Sequence, residues 1–178
     1  MTIRDILRYP DPRLKTVSTK VDVFDEAFQQ LIDDLEDTRL AGPGAVGIAA
    51  PQTAWFQRVV IIDVSKTKKP VPNHGHLVLV NPEITEWDDY DIGREGCLSV
   101  PDYTGNVIRA KQIVLSAQNR YGEIQEYAMT GFEARAVQHE IDHLDGLVFL
   151  DRVVSRNTDV FRRKVYQKNK RHKKSKAG

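Results

Sequence analysis

The sequence predicts an α+β domain in which antiparallel strands wrap around one central helix. Three observations carry that expectation. Short runs rich in Val, Ile and Leu recur between Val46 and Met129, separated by Gly, Pro, Asn and Asp. A segment from about 131 to 145, which follows those strands, keeps the helical period and has chemical reasons to begin and to end. At 178 residues the chain has room for one domain with a substantial core and is short for two.

In order along the chain, residues 1–24 contain Pro10, Asp11 and Pro12 and read as an extended arm. Phe24, Phe28, Leu31, Ile32 and Leu35 form the apolar stripe of an amphipathic helix from about Asp25 to Leu40, ended by Ala41-Gly42-Pro43-Gly44. Val46 to Ile48, Arg58 to Asp63, Leu77 to Val80 and Ile84 to Trp87 read as short strands. The acidic run Trp87-Asp88-Asp89-Tyr90-Asp91 reads as a solvated loop, because nothing in it spaces ligands for Ca²⁺. His74 and His76 fall in a polar loop, and Trp55, Phe56 and Trp87 read as core or surface packing. Ile113 to Ala117 and Ile124 to Met129 flank Asn119-Arg120-Tyr121-Gly122, a hairpin turn.

The central helix is bracketed by Thr130 and Glu133, which have capping-box spacing, and by Gly146, placed for a C-terminal stop. Between them Ala134, Val137, Ile141 and Leu144 face the core. Phe132, Arg135, Ala136, His139, Glu140 and His143 share the opposite side, which reads as the wall of a site. His139 and His143 stand four apart, one above the other, so both rings can bind a single ion. Glu140, on the flank of that face, can take a proton from activated water and hand it to a leaving group, the division of labour of His-Glu-x-x-His hydrolases. The central helix is thus expected to bind metal.

Two histidines fix an ion weakly, and the common downstream ligands are missing. Phe149 stands where an extended His-x-x-Gly-x-x-His pattern has its last histidine, and no Glu follows Glu140. The upstream candidates are Cys97, His74, His76 or an Asp, and Cys97 is the best of them. It is the only cysteine, so it closes no internal disulfide, and it sits in Arg94-Glu95-Gly96-Cys97-Leu98-Ser99-Val100-Pro101. A thiolate with two imidazoles makes a tetrahedral site with one position open to water.

Together with Gly44-Ala45-Val46-Gly47-Ile48-Ala49-Ala50-Pro51-Gln52, these segments resemble the peptide deformylase family. Gly47 to Gln52 resembles its first motif, Glu95 to Ser99 its second and His139 to His143 its third. The resemblance implies hydrolysis of N-formylmethionyl peptides to formate and a free amine. It implies Cys97, His139 and His143 as ligands of one divalent ion, Glu140 as the proton carrier, and the Gln52 side-chain amide with the Leu98 backbone N–H as oxyanion donors. Val46, Phe132, Ala136 and the alkyl part of Arg135 are expected to line a methionine pocket, with backbone at Val46 and Gly47 pairing with the substrate and Glu95 among the substrate-binding residues. Such a donor set suits Fe²⁺, Zn²⁺, Ni²⁺ or Co²⁺, and the resemblance favours Fe²⁺ in the cell. Two positions depart from the family pattern: Ala45 replaces a glycine, and Thr104 stands where some relatives carry an Arg. An ordinary metallopeptidase and a non-enzymatic, ribosome-associated metal protein are the rival readings.

Met1 to Asp5 has no apolar h-region and no stretch approaches the ~20 apolar residues of a membrane helix, so a cytoplasmic, monomeric protein is expected, in keeping with the single cysteine. The formal net charge of +1 conceals a segregation. Residues 152–178 carry eleven Lys or Arg against one acid, Asp159, which leaves fifteen basic and twenty-four acidic residues elsewhere. Asn157 is placed to cap a basic helix running to about Lys170, with Phe161 and Val165 as a narrow apolar stripe. The expected organisation is a catalytic domain over residues 1–151 and a basic C-terminal helix and tail over 152–178, which points to ribosomal RNA as a partner.

Overall fold

The computed structural model describes residues 1–164. Asp25 caps the first helix, α1 (Glu26–Ala41), by accepting a hydrogen bond from the Phe28 amide at 2.9 Å. Its stripe of Phe28, Ile32 and Leu35 is buried. The arm before it is extended apart from a short 3₁₀ turn at Pro12–Lys15, and it is tied down at both ends. Arg4 pairs with Asp34 of α1 at 2.7 Å, while the amides of Leu7 and Tyr9 donate to the carbonyls of Gln52 and Ser99 at 2.7 and 2.8 Å.

Six strands follow: β1 (Gly47–Ala49), β2 (Val59–Ile62), β3 (Leu77–Cys97), β4 (Val100–Gln118), β5 (Ile124–Thr130) and β6 (Val160–Arg162). All pair antiparallel in the order β1-β2-β3-β4-β5, with β6 also on β4. The second helix, α2 (Gly131–Leu144), packs on this sheet through Ala134, Val137, Ile141 and Leu144, which meet Val60, Ile62, Leu79, Ile113 and Leu115 in one apolar cluster. Leu144 is fully buried, so its truncation to Ala should cost ~2–5 kcal/mol. Gly146, at φ +76°, turns the chain out of the helix as expected.

The structure corrects the sequence reading in four places. The segments Leu77 to Val80 and Ile84 to Trp87 are one 21-residue strand, and the acidic run Trp87 to Asp91 lies within it. Pairing with Gln112 and Ala110 on β4, and an ion pair between Asp89 and Lys111, hold that run without any apolar pattern. Trp87 is exposed rather than packed, whereas Trp55 meets Phe28 edge-on as expected of a packing residue. Thr130 makes no side-chain cap, and the Glu133 carboxylate is turned away from it to His74, accepting its backbone amide at 2.7 Å and pairing with its ring at 2.6 Å. Finally, Asn157 lies in a turn and Val160–Arg162 is a strand, not part of a helix. The remainder of the expected basic helix, from residue 165, lies outside the described residues.

Candidate metal centre

α2, the β3–β4 turn and the 3₁₀ turn Ala50–Thr53 after β1 converge on one point. Cys97 ends β3 just before the two-residue turn Leu98-Ser99, so a tight hairpin aims its thiol at α2. The donor atoms of Cys97, His139 and His143 lie within 4.8 Å of one another, and Cys97 Sγ is 3.3 Å from His143 Nε2. Donors sharing one tetrahedral ion at ~2.0–2.3 Å stand roughly 3.3–3.8 Å apart, so this set fits a single ion. Among the described residues it is the group of metal-binding side chains that the fold brings together, and His74 and His76 are not in it.

One imidazole, that of His139, is oriented from behind, whereas His143 Nδ1 is buried without a hydrogen-bond partner among the described residues. His139 Nδ1 lies 2.8 Å from Glu95 Oε1, and because a carboxylate only accepts, this contact places the proton on Nδ1 and turns Nε2 toward the site. Burial opposes charge on His139, yet Cys97 and Glu95 beside it hold its pKa well above the usual imidazole value. Burial likewise pushes the Cys97 thiol up, but His143 and His139 bring it well below its ordinary value. Cys97 is thus held toward thiolate beside the two imidazoles, and a thiolate is the anionic donor that a cation site requires.

Glu95 was expected among the substrate-binding residues. It lines the cavity, but its Oε1 faces Arg109 at 2.9 Å and His139 at 2.8 Å, while its Oε2 faces Arg109 at 2.9 Å and Arg135 at 2.8 Å. Burial works against its charge, and the hydrogen bonds from Arg109 and His139 overcome that and hold it far below the usual carboxylate range. Arg109 bridges on to Asp142 at 2.5 Å, which also pairs with Arg152, so Asp142 is a buried partner of Arg109 and not a surface carboxylate. Arg135 is pinned by Glu95, Asp91 and the Val107 carbonyl. Arg135 lines the cavity together with Val46, Phe132 and Ala136.

Gln52 is fully enclosed. Its Oε1 accepts from the Ala49 amide at 2.9 Å, and its Nε2 points to Ser99 Oγ at 3.0 Å and Cys97 Sγ at 3.5 Å. Glu140 is buried with Oε2 unpartnered among the described residues, and burial raises its pKa despite His139 and His143 nearby. β1 passes close to it, since a Cβ on Gly47 would lie 2.8 Å from Glu140 Oε1. Gly44, at φ +66°, supplies the turn just before Ala45, so the departure at Ala45 is accommodated. The cavity has a volume of about 280 Å³ and opens between Pro43–Gly47 and Gly96–Leu98. Sequence reasoning missed Ser99, Asp91, Arg94 and Arg163. Ser99 and Arg94 lie within the cysteine segment and were within reach, whereas Asp91 and Arg163 take their positions from strand pairings that carry no local signal.

A buried thiolate-and-two-histidine site with an unpartnered carboxylate at its side defines a metal-dependent hydrolase. The sequence matches the polypeptide deformylase family over residues 3–159, and the chain belongs to that family, which removes the N-formyl group from newly made peptides. The peptide deformylase of Xylella fastidiosa (strain 9a5c) is 40% identical over 174 residues, covering 96% of this chain and 99% of that protein. That of Caldicellulosiruptor bescii is 42% identical over 154 residues, 86% of this chain and 87% of its own length. The crystal structure of a peptide deformylase from Legionella pneumophila superposes with a TM-score of 0.79 at 39% identity, covering 85% of this chain and 86% of that one. A class I type b peptide deformylase from Acinetobacter baumannii, bound to Met-Ala-Ser, superposes with a TM-score of 0.80 at 35% identity, covering 85% and 99%.

Proposed function

We propose that Cys97, His139 and His143 hold one divalent cation and that Glu140 moves the proton in the deformylation of N-formylmethionyl peptides. The observation that carries this is the buried Glu140 Oε2, unpartnered among the described residues, beside the clustered donor atoms of Cys97, His139 and His143. Bound there, the cation supplies Lewis acidity that makes water nucleophilic near neutral pH. Glu140, its pKa raised by burial, takes a proton from the attacking water and delivers it to the departing amine, so water and the formamide become formate and a free N-terminus. One hydrogen of the Gln52 amide, redirected from Cys97 or Ser99, meets the developing oxyanion together with the Leu98 N–H. Fe²⁺ is the cellular ion in this reading, with Zn²⁺, Ni²⁺ or Co²⁺ able to replace it in purified protein.

Val46, Phe132, Ala136 and the Arg135 stem receive the methionine side chain, and the backbone at Val46 and Gly47 pairs with the extended peptide; the Met-Ala-Ser bound to the A. baumannii relative supports this. Glu95 serves the site by orienting His139. The same reading has the enzyme at work as a monomer in the cytoplasm. The basic C-terminal segment brings the enzyme to ribosomal RNA near emerging chains. The test is formate release from formyl-Met-Ala-Ser against cleavage of an internal peptide bond in a non-formylated peptide. Formate with an intact chain is expected, and internal cleavage without formate would make the protein an ordinary metallopeptidase.

A further inference from the structure

The acids at the floor of the cavity are committed, Glu95 to three cationic side chains and Glu140 to a buried place beside the histidines. At the mouth the charge is of the other sign. Two guanidiniums, Arg94 and Arg163, line the cavity and are exposed. β6 organises both. Gly96 pairs with Thr104, and Thr104 with Phe161, so Arg94 and Gly96 on β3, Thr104 on β4, and Phe161 and Arg163 at β6 share one face of the sheet.

On that face the Phe161 ring lies under the Arg94 guanidinium, its centroid 3.7 Å away, and Asn106 Oδ1 and Thr104 Oγ1 accept from Arg94 at 3.1 and 3.3 Å. Arg94 is thereby held in place. The Arg163 backbone amide donates to the Asp102 carbonyl at 2.8 Å, which brings its guanidinium over Gly96, with Nη2 2.6 Å from where a Cβ on that glycine would stand. Gly96 adjoins Cys97. Among the described residues the Arg163 guanidinium has neither a hydrogen bond nor an ion pair.

We infer that Arg163, backed by Arg94, determines specificity by selecting formylmethionyl peptides that carry Asp or Glu one or two residues after the methionine. An extended peptide advances ~3.3 Å per residue, so those side chains leave the cavity beside Gly96, where the two guanidiniums stand. A carboxylate there gains a bidentate partner at little ordering cost, because β6 and Phe161 have already positioned the cations. A Lys or Arg at the same place meets two like charges. The C-terminal strand thus takes part in reading substrate. This rests on the deformylase reading, deepening it.

The test measures kcat/KM for formyl-Met-X-Ala-amide and formyl-Met-Ala-X-amide with X as Glu, Ala or Lys, amidated so that no terminal carboxylate competes. Each value is taken relative to X as Ala within the same variant. The unmodified enzyme is expected to favour Glu over Lys about tenfold at low salt, carried in KM, and the preference should shrink in molar salt, where screening acts within ~3 Å. Arg163→Ala should reduce the ratio to about twofold, Arg163→Glu should bring it below one, and Arg163→Lys should keep most of it. A ratio of one in the unmodified enzyme, or one unchanged in Arg163→Ala and Arg163→Glu, overturns the inference while leaving deformylation standing. Absence of formate release from the neutral peptide strikes the hydrolase reading and this inference with it.

Discussion

Glu140 and Glu95 are the same residue type in the same cavity, yet their surroundings send them in opposite directions. Glu95 accepts from Arg109, Arg135 and His139 and is held as a permanent anion, so it orients; Glu140 has one oxygen without a partner and a raised pKa, so it can exchange a proton. Two outcomes follow. Glu140→Gln should retain one metal per chain by elemental analysis while kcat falls by at least ~10²-fold, and full turnover in that variant would exclude the proton role. Glu95→Gln should weaken metal retention ~10–100-fold in competition with a chelator, because His139 loses the acceptor that fixes its tautomer. Metal affinity equal to that of the unmodified protein would remove Glu95 from this orienting part.

At the scale of elements, legibility followed the range of the interaction. Cys97, His139, Glu140 and His143 were readable because ligand chemistry and helical spacing are local, and so was α2, whose core stripe keeps its period. The Trp87 to Asp91 stretch was not, since both of its faces meet solvent and only hydrogen bonds to β4 make it a strand. Glu133 was misread as a capping residue for a similar reason, as its partner His74 lies 59 residues away. The arm shows the same long-range logic and can be tested by acid. Gln30 and Arg4 hold the Asp34 carboxyl below its ordinary value, with burial opposing. A lowered carboxylate contributes stability that is complete above its unfolded value of ~3.9 and is lost as pH falls through the lower folded value. Arg4→Ala should therefore lower Tm by ~1–3 °C at pH 7, and the gap should narrow below about pH 3. A gap of equal size at both pH values would show that Arg4 acts by packing alone.

At the scale of the whole molecule, the distribution of charge and the course of the sheet divide the C-terminal region differently from the sequence alone. Composition placed a boundary at 151/152, but Val153 and Val160 pack against the cluster of Cys97, Val107 and Phe149, and β6 joins β4. Beyond Lys164, outside the described residues, six Lys or Arg occur among fourteen residues with no acid. Lysines and arginines neutralise phosphates and release counterions, so affinity from such a segment falls steeply with salt and carries no sequence preference. Two truncations separate the roles. Removal of 165–178 should weaken ribosome binding at low salt several-fold and flatten its dependence on salt, while kcat/KM for short formyl peptides stays within about twofold, since every lining residue among the described ones is kept. Removal of 160–178 should do the same to ribosome binding and in addition lower the preference for acidic peptides, because Phe161 and Arg163 leave the mouth of the cavity. Sedimentation with ribosomes across a salt series, read beside peptide kinetics on the same two variants, tests both outcomes; equal ribosome affinity of the 1–164 chain and the full chain at low salt would show that the basic segment is not what holds the enzyme there.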